Sequence, residues 1–452
     1  MDAIEKRSLM FTNKALVTMT IPVILESLLS IVAGLVDSAM VSSAGAAAVS
    51  AVSLVDAINV MCITFFSGMS LGGGVIISQY IGHKDYKQAK NSANQMVYIS
   101  VTLALVFMTM LLLGRASVLR WIYGDLEQDV FDNCNTYFFW TLWGYPFSAI
   151  GASGVYVLRS MGKTRQSAAC SISFNIVNVI GNAILVYGFK MGVAGAAIST
   201  TFSRVVYAAM GLLLASNKTL PARFEKLLRI RLDWGIICRI FRIGSASSLE
   251  FGLFYSGRLL LSSLVATFGT IAITANSVSN TLNNVGWVIV GAFGTAMMPV
   301  VGQCIGAGEK EQAKYYLRKM VRWGTIVMAV LFSTIFLLRH QLVKVYDLDA
   351  ETLKVCAYYT GALALFSFGS VYSWAFAPVS GFRAAGDVRY ATTLSITSMF
   401  TFRVALAYVL NWIFPALGLM NVCIGMGVDW ACRSIMNVIR YRNGKWLTKR
   451  VI

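Results

Sequence analysis

Apolar runs, each closed by charged punctuation, recur from one end of this chain to the other. Runs of about twenty residues cross a bilayer core of about 30 Å as a helix, which satisfies its own backbone hydrogen bonds where no water can. The pattern predicts a first set of spans at 16–40, 51–80, 93–113, 136–158, 167–189 and 193–215. A second set is predicted at 243–266, 271–305, 321–338, 355–382, 391–413 and 418–439. Several exceed the minimum and are expected to tilt or to run on into loops.

The two sets are copies of one another at an offset of 224. SQYIGHKDYKQAK at 78–90 meets GQCIGAGEKEQAK at 302–314. The same offset carries Arg159, Gly162 and Arg165 onto Arg383, Gly386 and Arg389, and Leu25 and Glu26 onto Leu249 and Glu250. Both copies begin on the same side of the membrane, so the repeats are parallel. The fold expected is an all-α membrane protein of twelve transmembrane helices. Its two six-helix lobes, 1–216 and 243–452, are related by a pseudo-twofold axis along the membrane normal. The linker, 217–242, mixes Phe224, Leu227, Leu228, Ile230, Leu232 and Trp234 with basic residues, as an amphipathic segment on the cytoplasmic surface does.

Composition sharpens this picture. The chain has 452 residues, 57% hydrophobic and 13% charged, whereas soluble domains carry about 25% charge. The net charge of +18 could speak for nucleic acid. Most Lys and Arg, however, fall in the loops on the side of the N-terminus, with the richest group at Lys218, Arg223, Lys226, Arg229, Arg231, Arg239 and Arg242. That is the positive-inside signature, which places both termini in the cytoplasm of a multi-pass cell-membrane protein and leaves no basic domain for nucleic acid. The first apolar run holds Glu26 and Asp37 and reads as a span, not a removed signal. The eight cysteines are scattered without a CxxC pair.

Catalytic chemistry finds no support. His83 and His340 are the only histidines, both in predicted loops, with no HExxH pattern or nucleophile elbow. Gly72, Gly73 and Gly74 lie inside a span, where close helix packing explains them better than a phosphate loop. The candidates are instead the intramembrane acids Glu26, Asp37, Asp56, Glu250 and Asp429, because an acid at mid-membrane is costly and is kept for function. Glu26 and Asp37 are eleven residues apart and return to nearly one helix face, with Pro22 one turn before Glu26. Asp429 and Arg433, at i and i+4, are placed to pair.

IPVILESLLSIVAGLVDSAMV, SQYIGHKDYKQA, LRSMGKTRQ, GVAGAAIST, GQCIGAGEKEQA and GFRAAGDVRY, in that order, resemble the recurrent segments of the multidrug and toxic compound extrusion (MATE) family. The resemblance implies a secondary active exporter, with two six-helix lobes around a central cavity, that expels small lipophilic organic cations in exchange for protons or sodium. It implies no bound organic cofactor, no enzyme activity, and function as a monomer in the lipid bilayer. It also implies that Asp37 is the ion or proton site, with partners from the fifth span, where Asn175, Asn178 and Asn182 stand. Glu250 resembles an ion- or substrate-binding glutamate, with Tyr255, Asn280, Asn283 and Asn284 as expected neighbours and Glu26 as a further cavity acid. Sodium at Glu250 is the one metal the resemblance allows, although the acid that some branches add on span 10 is missing here. Arg258, eight residues from Glu250, offers that acid an ion pair instead. A lipid-linked sugar flippase or polysaccharide exporter of the same general design is the alternative, one that calls for a more cationic cavity.

Overall fold

The apolar runs fold as helices whose ends follow the register of the two copies. In the computed structural model, residues 9–346, 348–368, 370–449 and 451–452 are described. The first copy comprises α1 (Asn13–Ser42), α2 (Ala46–Gly82), α3 (Tyr86–Tyr123), α4 (Gln128–Leu142), α5 (Tyr145–Ser160), α6 (Thr164–Asn182) and α7 (Gly192–Ala215). The second comprises α8 (Trp234–Ala266), α9 (Thr270–Gly306), α10 (Lys310–Lys344), α11 (Ala350–Phe366), α12 (Ser370–Ala384), α13 (Val388–Ser398), α14 (Leu406–Ile413) and α15 (Met420–Asn443). Both ends of α2 and α9, and the starts of α6 and α13, lie 224 residues apart. The turns obey the same register. Gly45 and Gly269 enter α2 and α9 at φ 102° and 88°, and Gly162 and Gly386 precede α6 and α13 at 74° and 95°, conformations that glycine adopts without steric cost.

Among the described residues ten helices are long and apolar enough to cross a membrane, and eleven if α11 and α12 count as one bent span. The α4–α5 pair holds the equivalent place in the first copy and completes the twelve-helix fold. The stretches 136–158 and 355–382, expected as continuous, are therefore each broken in two. At the first break, a Cβ on Gly144 would lie 2.5 Å from Arg204 Cδ. The Arg204 guanidinium donates to the Thr141 carbonyl at 2.7 Å, beside the Gly144 amide that donates to the same oxygen at 3.1 Å as α4 ends.

The chain divides into two compact units, Asn13–Ser248 and Leu249–Val451, the latter with the segment up to Thr12. Helix α8 thus contributes to both. In the first unit small residues bring backbones together: a Cβ on Gly72 would lie 2.7 Å from the Ile240 carbonyl, and one on Gly154 2.6 Å from that of Gly211. In the second, the Phe11 amide donates to the Tyr316 hydroxyl at 2.8 Å, and that hydroxyl donates back to the Phe11 carbonyl at 2.9 Å.

The linker ahead of α8 is irregular and is pinned along one face of α3. Asn94 Nδ2 donates to the Glu225 carbonyl at 2.7 Å, Gln95 Nε2 to that of Arg231 at 2.6 Å, and the Tyr98 hydroxyl to that of Leu227 at 3.0 Å. Phe224 is buried, while Leu228, Ile230 and Trp234 stand exposed among the basic residues.

Candidate functional site

In the first unit, α1 and α6 present Asp37 and Asn182 to one another. The amide Nδ2 of Asn182 donates to Asp37 Oδ1. Asn182 is fully buried, its own Oδ1 lacks a partner among the described residues, and the helix runs on from it as a π-helical turn, Ala183–Gly188. Such turns widen a helix and recur at functional sites.

The other two asparagines do not join that carboxylate. Asn175 Nδ2 donates to the Ser30 hydroxyl at 2.9 Å, and Asn178 Nδ2 to the Thr200 hydroxyl at 3.2 Å. Helix geometry explains the split. Seven residues bring 175 back to the face of 182 but about 10 Å away along the axis, and 178 is turned toward α7. Asn175 lines a separate cavity of about 340 Å³ with Ser30, Ser148, Ser171, Arg204 and Tyr207.

Asp56, on α2, anchors a network that spacing alone did not assemble. The Asn59 amide and the Tyr137 hydroxyl each donate to Asp56 Oδ1 at 3.2 Å, and the Tyr145 hydroxyl donates to Asn59 Oδ1 at 2.9 Å. One signal was available: the offset carries Asp56 and Asn59 onto Asn280 and Asn283, so the positions are polar in both copies.

Glu26 and Glu250 each meet an arginine from the end of the second helix of a broken span. Arg159 Nη2 donates to Glu26 Oε1 at 2.7 Å, and Arg383 Nη2 donates to Glu250 Oε2. All four side chains are largely buried. Glu250 therefore takes its ion pair from Arg383, not from Arg258. Arg258 stands one face away, because eight residues overshoot two helical turns, and it points into a pocket.

That pocket, about 110 Å³, lies wholly within the second unit. It gathers Tyr255, Asn280, Asn283 and Asn284 with Arg258 and Arg403, whereas Glu250 is not part of its wall. Beneath it the fully buried Asp429 carboxylate is clasped by two arginines. Arg403 Nη2 approaches at 2.6 Å and Arg433 Nε at 2.8 Å, and the Ser398 hydroxyl donates as well. The i, i+4 spacing announced Arg433, while Arg403 comes from the neighbouring span, where a π-helical turn, Met399–Ala405, carries it.

A family model for MatE matches residues 22–184 and again 246–409. A probable multidrug resistance protein NorM of Thermotoga maritima is 24% identical over 97% of this chain and 94% of its own length. The multidrug export protein MepA of Staphylococcus saprophyticus is 22% identical over 92% and 89%. Among solved structures, an outward-facing multidrug resistance MATE transporter of the MOP superfamily superposes with a TM-score of 0.89 over 97% of each chain at 20% identity. With its model matched once in each copy of the repeat, this chain belongs to the MATE family of multi-pass membrane transporters, which are not enzymes.

Proposed function

We propose that this chain is a multidrug efflux transporter that exchanges organic cations for protons by alternating access, with Asp37 as the proton carrier. The observation that carries the reading is the contact of Asp37 with buried Asn182. An amide is neutral and can donate to the ionised carboxylate or, turned over, accept from the protonated one. It therefore serves both charge states without a permanent counter-ion. Of the intramembrane acids singled out from the sequence, Glu26, Glu250 and Asp429 are each held by arginine. Among the described residues Asp37 and Asp56 are not, and Asp56 is held instead by two donors, the Asn59 amide and the Tyr137 hydroxyl. A carboxylate in an apolar bundle is neutralised by a proton or by an organic cation, and competition between the two is the physical basis of exchange.

Sodium fits less well. Arg383 already occupies the Glu250 carboxylate, and Asp37 has one amide partner where sodium favours several charged or carbonyl oxygens. Asn175 and Asn178, engaged elsewhere, would serve cargo or packing on this reading. A second reading, a lipid-linked sugar flippase or polysaccharide exporter, draws on Arg258 and Arg403 in the second unit's pocket.

Reconstitution into proteoliposomes with separately imposed proton and sodium gradients tests the proposal. Ethidium should move against an inward proton gradient at constant sodium. Movement driven by sodium alone would overturn proton coupling, and transport of a pyrophosphate-linked lipid without any ethidium flux would favour the second reading.

A further inference from the structure

The two units surround their intramembrane charges differently. In the first, Asp37 and Asp56 stand with amides and hydroxyls. In the second, the described pocket wall holds two arginines and no carboxylate. Asp429 lies behind that wall and is shared between Arg403 and Arg433, so the cluster keeps one positive charge. Arg258 adds another. Its side chain is exposed, and among the described residues no carboxylate lies within ion-pairing distance of it.

Apart from three asparagines and Met426, the remaining wall is aromatic and continuous. Phe254 stacks on Trp287 with ring centres 5.9 Å apart, Trp287 meets Phe376 at 5.0 Å, and Tyr372 links Phe376 to Trp430 at 5.0 and 5.1 Å. Arg403 lies over the Phe254 ring at 5.3 Å and that of Trp430 at 5.6 Å. Trp430, almost fully buried, has an indole N–H without an acceptor among the described residues. Flat rings select flat ligands, and a positive pocket walled by rings selects a negative group and repels a cation.

We propose that the second unit's pocket binds an organic anion, a planar aromatic ring carrying a carboxylate or phosphate, with Arg258 as its charge partner. A volume of about 110 Å³ suits that charged end of a ligand and not a whole drug-sized molecule. The inference goes beyond proton-coupled export and does not depend on it, because binding needs no gradient.

Equilibrium dialysis of the detergent-purified chain tests it with coumarin-3-carboxylate and the isosteric neutral coumarin-3-carboxamide. The carboxylate should bind roughly tenfold tighter or more, a preference that Arg258→Gln removes and Arg258→Lys largely keeps. Asn284→Asp, on the exposed part of the wall, should abolish carboxylate binding by adding a like charge, which keeps the test open if Arg258→Gln folds poorly. Equal affinity for the two coumarins, or a carboxylate preference that survives both Arg258→Gln and Asn284→Asp, would overturn the proposal. Failure of proton-driven ethidium export with the carboxylate preference intact would count against the exchange mechanism alone.

Discussion

The Arg159 guanidinium grips the Glu26 carboxylate at 2.7 Å, and 224 residues further on Arg383 grips Glu250 in the same way. Each pair ties the first helix of its copy to the end of the fourth span. The duplicated ion pair has therefore kept its geometry while much of the surrounding sequence diverged. Burial makes both pairs sensitive to the loss of one partner, because the survivor is left as an uncompensated charge.

Glu250→Gln should accordingly cost about 3–5 kcal/mol of stability, the usual penalty for breaking a buried pair. Neutralising both partners, Glu250→Gln with Arg383→Met, should cost clearly less than the sum of the single changes. Thermal unfolding of the four proteins in detergent gives the cycle. Additive losses would mean that the two side chains do not interact.

A second prediction concerns the turn before α3. Lys84 takes φ 61°, and its counterpart Gly308 takes 78°. A side chain in this left-handed region costs about 1–2 kcal/mol, while glycine loses roughly 0.4–1 kcal/mol more entropy on folding. The steric term wins, so Lys84→Gly should stabilise by about 0.5–1 kcal/mol. Gly308→Lys should destabilise by a similar amount although nothing lies within 4 Å of its added Cβ. Unfolding midpoints of the two variants should move in opposite directions.

The repeat made the helices legible, because apolar length and the 224-residue offset act on the whole chain at once. The same offset aligns Glu26 with Glu250 and Arg159 with Arg383. That these two matches are the two ends of one contact was not legible, since pairing across 133 residues depends on how α1 packs against the turn after α5. The breaks in the fourth spans were hidden for a related reason. Gly144 reads as an ordinary membrane glycine until Arg204, from another helix, fills the space where its Cβ would lie and donates to the Thr141 carbonyl. Spacing placed Asn175, Asn178 and Asn182 on one side of α6, yet it could not say at what depth Asp37 would stand.

The linker carries a pH-dependent prediction. Lys90 sits 3.2 Å from the Glu225 carboxylate and Arg223 3.4 Å, and the Lys90 contact above all holds that carboxyl below its ordinary value. A depressed folded pKa contributes stability at pH above the unfolded value and loses it as pH falls through the folded one. Hydrogen exchange of the 219–233 amides should therefore be slower in the wild type than in Glu225→Gln at pH 7. The difference should close below about pH 4. A constant difference across that range would mean that the ion pair does not hold the linker. Because the groups are partly exposed, the effect should also shrink in high salt.

The sharpest prediction is for Asp37. Asn in its place keeps the shape and the possibility of hydrogen bonding to Asn182 but cannot change charge. If Asp37 carries the proton, Asp37→Asn is fixed in a neutral form, so it should fold and insert normally while proton-driven ethidium export falls to the leak rate. Asn182→Ala makes a different demand. The carboxylate can still titrate but loses its amide donor, so export should weaken and its pH profile should change. Asn178→Ala, which removes only the contact to Thr200, should leave the pH profile in place. Proteoliposome flux measured across pH for the three variants separates a proton carrier from a merely structural acid. A structural Asp37 would give Asp37→Asn lower yield with an unchanged flux per folded molecule, and wild-type coupling in that variant would remove Asp37 from the mechanism.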